Sequence, residues 1–159
     1  MEPILISACL LGTSCRYDGG SKPVLSVEAL MGHYQLVPVC PEQLGGLPTP
    51  REPSERQGDR VVMRTGEDVT EQYQKGAEQA LHLARVFGCK KAVLKERSPS
   101  CGAGEIYDGT FSGKLTAGDG VTAALLKANG IKVFGESEIE TLLEEEAVIE
   151  EPGFFCVTS

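Results

Sequence analysis

Six cysteines, Cys9, Cys15, Cys40, Cys89, Cys101 and Cys156, are the residues of this chain most able to do chemistry. Thiolates bind soft metals, hold iron–sulfur clusters, attack electrophiles or pair into disulfides. A disulfide scaffold is not needed here. A chain of 159 residues buries roughly 68–70% of its unfolded surface in one core. Cys9 and Cys15 have five residues between them, which fits neither a CxxC pair nor a ferredoxin spacing. The only histidines, His33 and His82, fall in stretches expected to be helical. A metal held by the cysteines would therefore have sulfur ligands alone, which points to zinc or an iron–sulfur centre. Cys89, at the end of a helical stretch, and Cys156, in the tail, read as small buried hydrophobes.

The positions of the other four depend on the elements that carry them. Ile4 to Ala8 reads as a short buried strand, and Leu36 to Val39 as a second. Between them Ser26 can cap a helix running to about Tyr34. Cys40 to Gly58 is rich in turn residues, and Arg60 to Arg64 reads as a small outlying strand or hairpin arm. Thr70 to Phe87 carries Tyr73, Ala77, Ala80, Leu81, Ala84 and Phe87 at helical spacing, with Gly88 as terminator. Lys91 to Lys95 is a third strand, and the glycine-rich loop Glu96 to Gly120 follows. A helix from about Gly120 to Ala128, a strand at Ile131 to Phe134, and an acidic helix from Glu138 to about Glu145 with Ser137 as its cap complete the order.

This βαβ rhythm predicts an α/β fold: a single Rossmann-like three-layer domain spanning 1–159, with a mostly parallel sheet. Cys9 then follows the first strand, Cys40 follows the second, and Cys101 lies six residues beyond the third. Loops after parallel strands share one edge of the sheet, where ligands bind. The spacing predicts that these three cysteines meet. It leaves a metal or cluster site, thiol catalysis and structural cysteines all open.

Composition narrows the partners. With 15 basic and 23 acidic residues the formal charge is -8, a poor footprint for a stable nucleic-acid partner or an anionic membrane. No run approaches the ~20 apolar residues of a membrane helix. Glu2 and Pro3 stand where a signal peptide has a basic region, so a cytoplasmic, thiol-reducing setting is expected. Neither a Walker-type phosphate loop nor a dinucleotide-binding glycine fingerprint is present.

The residues around the cysteines are more specific. Ser7-Ala8-Cys9-Leu10-Leu11-Gly12 runs into Cys15-Arg16-Tyr17-Asp18-Gly19. Pro38-Val39-Cys40-Pro41-Glu42 leads to Gly45-Gly46-Leu47 and Pro50-Arg51. Lys95-Glu96-Arg97-Ser98-Pro99-Ser100-Cys101-Gly102 continues to Tyr107-Asp108-Gly109. Arg16, Lys22, Arg51 and Lys95 are candidate pocket cations. In this order, from Ile4 to about Ile139, the motifs resemble the bacterial family known as domain of unknown function 523, in its thiouracil desulfidase-like branch.

The resemblance implies a [4Fe–4S] cluster held by Cys9, Cys40 and Cys101, with Cys15 as the rival ligand or a structural neighbour. It implies Glu42 as the acidic participant and Ser98 as the hydroxyl participant. The implied reaction converts a free thiouracil to uracil and sulfide, with an open cluster iron accepting the substrate's sulfur. The related type that acts on thiolated transfer RNA carries an added domain absent from these 159 residues, so a small thiolated pyrimidine is the expected substrate. The alternatives are another thiolated base or nucleoside, or a zinc-stabilised binding or regulatory module.

Overall fold

The computed structural model describes residues 1–13, 15–20 and 27–145. Lys22, Ser26 and Cys156 lie outside the described residues.

β1 (Glu2–Ser7) is the axis of the molecule. Its continuous apolar run is buried from Ile4 onward, as expected for a strand covered on both faces. Ile4 and Ile6 pack with Val27, Leu30, Phe134, Ile139 and Leu142 on one side. Leu5 packs with Ala80, Ala84, Ala92 and Leu126 on the other. β1 pairs in parallel with β2 (Tyr34–Val39), Leu5 lying opposite Val37. It also pairs in parallel with β5 (Lys91–Leu94), Leu5 lying opposite Ala92. β5 pairs in parallel with β8 (Lys132–Gly135). Among the described residues the central sheet is thus four strands in the order β2-β1-β5-β8.

The helices form the outer layers. α1 (Val27–Met31) and the helical stretch 139–145 cover the Ile4 face. α3 (Thr70–Phe87) and α4 (Val121–Ala128) cover the Leu5 face. α3 ends where Gly88 takes φ +72, a left-handed cap that an L side chain rarely adopts. The first helix is shorter than its sequence predicts. It stops at Met31, Gly32 and His33 turn, and Tyr34 already opens β2 with 2% of its surface exposed. Ser137 does not cap the acidic helix. The N-cap of the 3-10 turn Glu136–Glu138 is Gly135, whose N–H donates to Glu138 Oε1 at 2.9 Å.

Two antiparallel hairpins sit outside the sheet. β4 (Arg60–Met63) is the expected hairpin arm, and β3 (Ser54–Gln57) is its antiparallel partner. β6 (Glu105–Tyr107) pairs with β7 (Leu115–Ala117) inside the second long loop.

The short helix α2 (Pro41–Leu44) crosses α3 at backbone contact. A Cβ on Gly45 would collide with the carbonyl oxygen of Gln72, and one on Gly76 with that of Pro41. Neither backbone can give way cheaply. Gly45→Ala is expected to cost about 1–3 kcal/mol through overpacking, read as an earlier midpoint in urea unfolding.

Candidate functional site

The strand order reverses beside β1. The chain goes from β1 to β2 on one side, then crosses through α3 to β5 on the other. Loops leaving the two sides diverge and open a crevice at the carboxyl ends of the strands. Ser7 at the end of β1 lies opposite Val39 at the end of β2. The Ser7 hydroxyl accepts the N–H of Lys95 at 2.9 Å, stitching β1 to the loop that follows β5.

A cavity of about 650 Å³ occupies this crevice, and Cys9, Cys15, Cys40 and Cys101 all line it with Glu42 and Ser98. Cys9 sits in the 3-10 turn Ala8–Leu11 directly after β1. Cys40 is the N-cap of α2, yet its side chain makes no capping bond, and Pro41 starts the helix. Cys101 follows a turn in which Ser98 Oγ accepts the N–H of Ser100 and of Cys101, each at 3.1 Å. The sequence expectation of three cysteines at three adjacent strand mouths is met. Cys89 is buried away from the cavity among the apolar residues of the α3 face.

Burial pushes the thiol of Cys9 up to about 11 and that of Cys15 up to about 12, with the nearby Cys40 adding to both. Burial raises Cys101 as well. Thiols that hold their protons are poor nucleophiles, which argues against direct attack by Cys101. Metal binding exchanges those protons for the metal. His82 is exposed on α3 and His33 lies in the turn after α1, and neither lines the cavity. Glu42, Glu55, Glu96 and Glu136 also line the cavity, each hydrogen-bonded to protein, and the soft donors at hand are the sulfurs. Among the described residues, no three His, Cys, Asp or Glu side chains converge on a point that could hold a single ion. A [4Fe–4S] cube asks for a different arrangement, because each thiolate ligates its own iron. Sulfur donors from separate loops that open onto one pocket suit the all-thiolate ligation of an iron–sulfur cluster.

Glu42 is held by one oxygen. Its Oε1 accepts Tyr73 Oη–H at 2.7 Å and Arg51 Nε–H at 3.2 Å. Among the described residues nothing bonds Oε2, and the side chain keeps 18% exposure on the cavity. The Arg51 side chain is 2% exposed and also donates to the carbonyl oxygens of Cys15 and Pro48 and to Thr49 Oγ1. Burial raises Tyr73 far above the usual phenol range, and the Glu42 carboxylate adds to this, so Tyr73 stays a donor. Sequence reasoning missed Tyr73, 31 residues from Glu42, because helical periodicity marks it only as a core position. Lys95, a candidate cation, is neutralised by Glu136 at 2.8 Å. Arg16 lines the cavity.

The model of the 2-thiouracil desulfurase family matches residues 4–138. The chain belongs to the 2-thiouracil desulfurase family. The Bacillus subtilis (strain 168) protein YbbK, itself uncharacterised, is 45% identical over 150 residues, spanning 88% of this chain and 99% of its own length. A solved structure described as the [4Fe–4S]-dependent thiouracil desulfidase TudS superposes with a TM-score of 0.88 at 49% identity, covering 93% of this chain and 99% of that one. The likeness to that structure thus extends over nearly the full chain. Among the described residues no helix is long and apolar enough to cross a membrane.

Proposed function

We propose that this protein is a [4Fe–4S]-dependent desulfidase that converts free thiouracil to uracil and sulfide, in the cytoplasm where thiols stay reduced. The observation that carries the reading is the opening of Cys9, Cys40 and Cys101 from three adjacent parallel strands onto one cavity with Glu42. The likeness to TudS supports it. In this reading Cys9, Cys40 and Cys101 hold the cluster. When bound, it supplies an iron not ligated by protein, a Lewis acid able to accept a thiocarbonyl sulfur.

The chain's own groups do the rest. Oε1 of Glu42 is anchored, so Oε2 is left to take a proton from a water beside the substrate. The water oxygen adds to the ring carbon that bears sulfur. The tetrahedral carbon collapses to a carbonyl as the C–S bond breaks, and sulfide leaves with the electron pair. One thiouracil and one water give one uracil and one hydrogen sulfide, with no net oxidation. Ser98 Oγ already accepts two backbone N–H groups, so its own proton is free to be donated to the heterocycle. The formal charge of -8 opposes tight capture of transfer RNA.

Anaerobic product analysis with 2-thiouracil, 4-thiouracil, thiouridine and thiolated transfer RNA in parallel tests the reading. Uracil and sulfide from a free base are expected without added nucleotide. Turnover of transfer RNA alone would move the substrate elsewhere, and no sulfide from any of them would defeat it. Tyr73→Phe removes one hydrogen bond to a charged group, worth about 1.5–3 kcal/mol. It is expected to slow turnover roughly tenfold or more at unchanged iron content and KM, measured by steady-state sulfide release.

A further inference from the structure

Phe111 has φ +57. That is the left-handed region, which bulky L residues avoid and which must be imposed by the surroundings. Here the imposing groups are on β3. Glu55 Oε1 accepts the N–H of Gly109 at 2.9 Å and of Phe111 at 3.1 Å. Gln57, on the same strand two residues on, donates from Nε2 to the Gly109 carbonyl at 2.8 Å. Gly109 allows the approach, because a Cβ there would lie 2.8 Å from Gln57 Cγ and 2.9 Å from the Arg56 oxygen. The turn between β6 and β7 is thus clamped to the outer hairpin.

Core packing does not account for this. Thr110, Ser112, Gly113 and Lys114 are exposed, as a turn tip should be, while Phe111 is half-buried. Among the described residues Phe111 joins none of the three apolar clusters. It lines the cavity that holds the four cysteines, and its other neighbour is the Arg64 guanidinium, 6.0 Å from the ring centroid. The other aromatics that line the cavity are Tyr17, Tyr73 and Tyr107. Tyr73 is 1% exposed and committed to Glu42. Tyr17 and Tyr107 are among the exposed large side chains.

We propose that Phe111 is the platform on which the substrate's planar heterocycle stacks, and that Glu55 is the positioning residue that holds it there. This rests on the thiopyrimidine reading above. Stacking on an aromatic side chain favours any flat π-system and is insensitive to the exocyclic sulfur. Phe111 therefore sets affinity for the base, and the chemistry at the carbon–sulfur bond is left to the cysteines and Glu42 that line the same cavity.

Alanine at a base-stacking position costs roughly tenfold or more in binding. Phe111→Ala is expected to raise KM for 2-thiouracil by roughly that factor with kcat within about twofold and iron content unchanged, and Phe111→Tyr restores the KM. Glu55→Ala raises KM in the same direction, and the double variant is no worse than Phe111→Ala alone. The chain has no tryptophan, so Phe111→Trp installs a single fluorophore. Uracil titrated into this cluster-loaded variant should quench it saturably, while Phe87→Trp, exposed at the end of α3, should not respond. An unchanged KM in Phe111→Ala, or an unresponsive Trp at 111 at saturating uracil, overturns the platform while thiouracil turnover stands. If the wild type releases no sulfide, quenching by uracil still upholds a pyrimidine site at Phe111, and its absence overturns both readings.

Discussion

Glu42→Gln protein is expected to carry its full iron and labile sulfide and to turn over thiouracil ~10²–10⁴-fold more slowly, the usual worth of a positioned general base. The carboxamide oxygen can still accept Tyr73 Oη–H and Arg51 Nε–H, so the anchoring at Oε1 survives. What changes is the oxygen without a partner, which becomes an amide nitrogen unable to take a proton. Shape is kept and basicity is lost. Turnover close to that of the wild type would reduce Glu42 to an acidic residue in the first turn of α2 that pairs with Arg51. Loss of iron together with activity would give it a part in assembling the site.

Cys9→Ala, Cys40→Ala and Cys101→Ala are each expected to lose the cluster and all activity, read by iron content after anaerobic reconstitution. Cys89→Ala keeps both, because Cys89 packs among Ala84, Ala92 and Ile131 and does not reach the cavity. Cys156→Ala, outside the described residues, is expected to behave likewise. Cys15→Ala is the informative variant. The Cys15 carbonyl oxygen accepts Arg51 Nη2–H at 3.1 Å and the Cys40 thiol at 3.7 Å, and the Cys15 thiol lies beside that of Cys40. Alanine keeps that carbonyl, so iron content near the wild-type value is expected. Loss of iron in Cys15→Ala with retention in Cys9→Ala would exchange the two roles.

Much of this architecture can be read from the residues in order. α3 is found to its ends, because Tyr73, Ala77, Ala80 and Ala84 recur on one face and Gly88 stops the turn. The mouths of β1 and β5 follow from apolar runs buried on both faces, that of β2 from the apolar run at Leu36 to Val39, and the cysteine positions follow from the mouths. The hairpins are a different matter. β7 has all three residues exposed, and β6 buries only Ile106, so alternation has nothing to show. β3 is hidden in a stretch of prolines and polar residues. The contacts that tune the site are also long-range: Tyr73 to Glu42, Arg51 to Cys15, Glu55 to Phe111. Each joins elements whose pairing only the folded chain determines. Nothing local marks Gly45 and Gly76 as a matched pair, although their contact brings α2 onto α3 and Glu42 to Tyr73.

The most direct measurement is the metal and labile-sulfide content of the full chain after anaerobic isolation and reconstitution, with Mössbauer spectroscopy on the same sample. About four iron and four labile sulfide per chain, with the spectrum of a [4Fe–4S] centre, is the predicted result. Stoichiometric zinc with no retained iron under the same conditions would contradict a cluster on Cys9, Cys40 and Cys101, and with it the desulfidase chemistry built on that site.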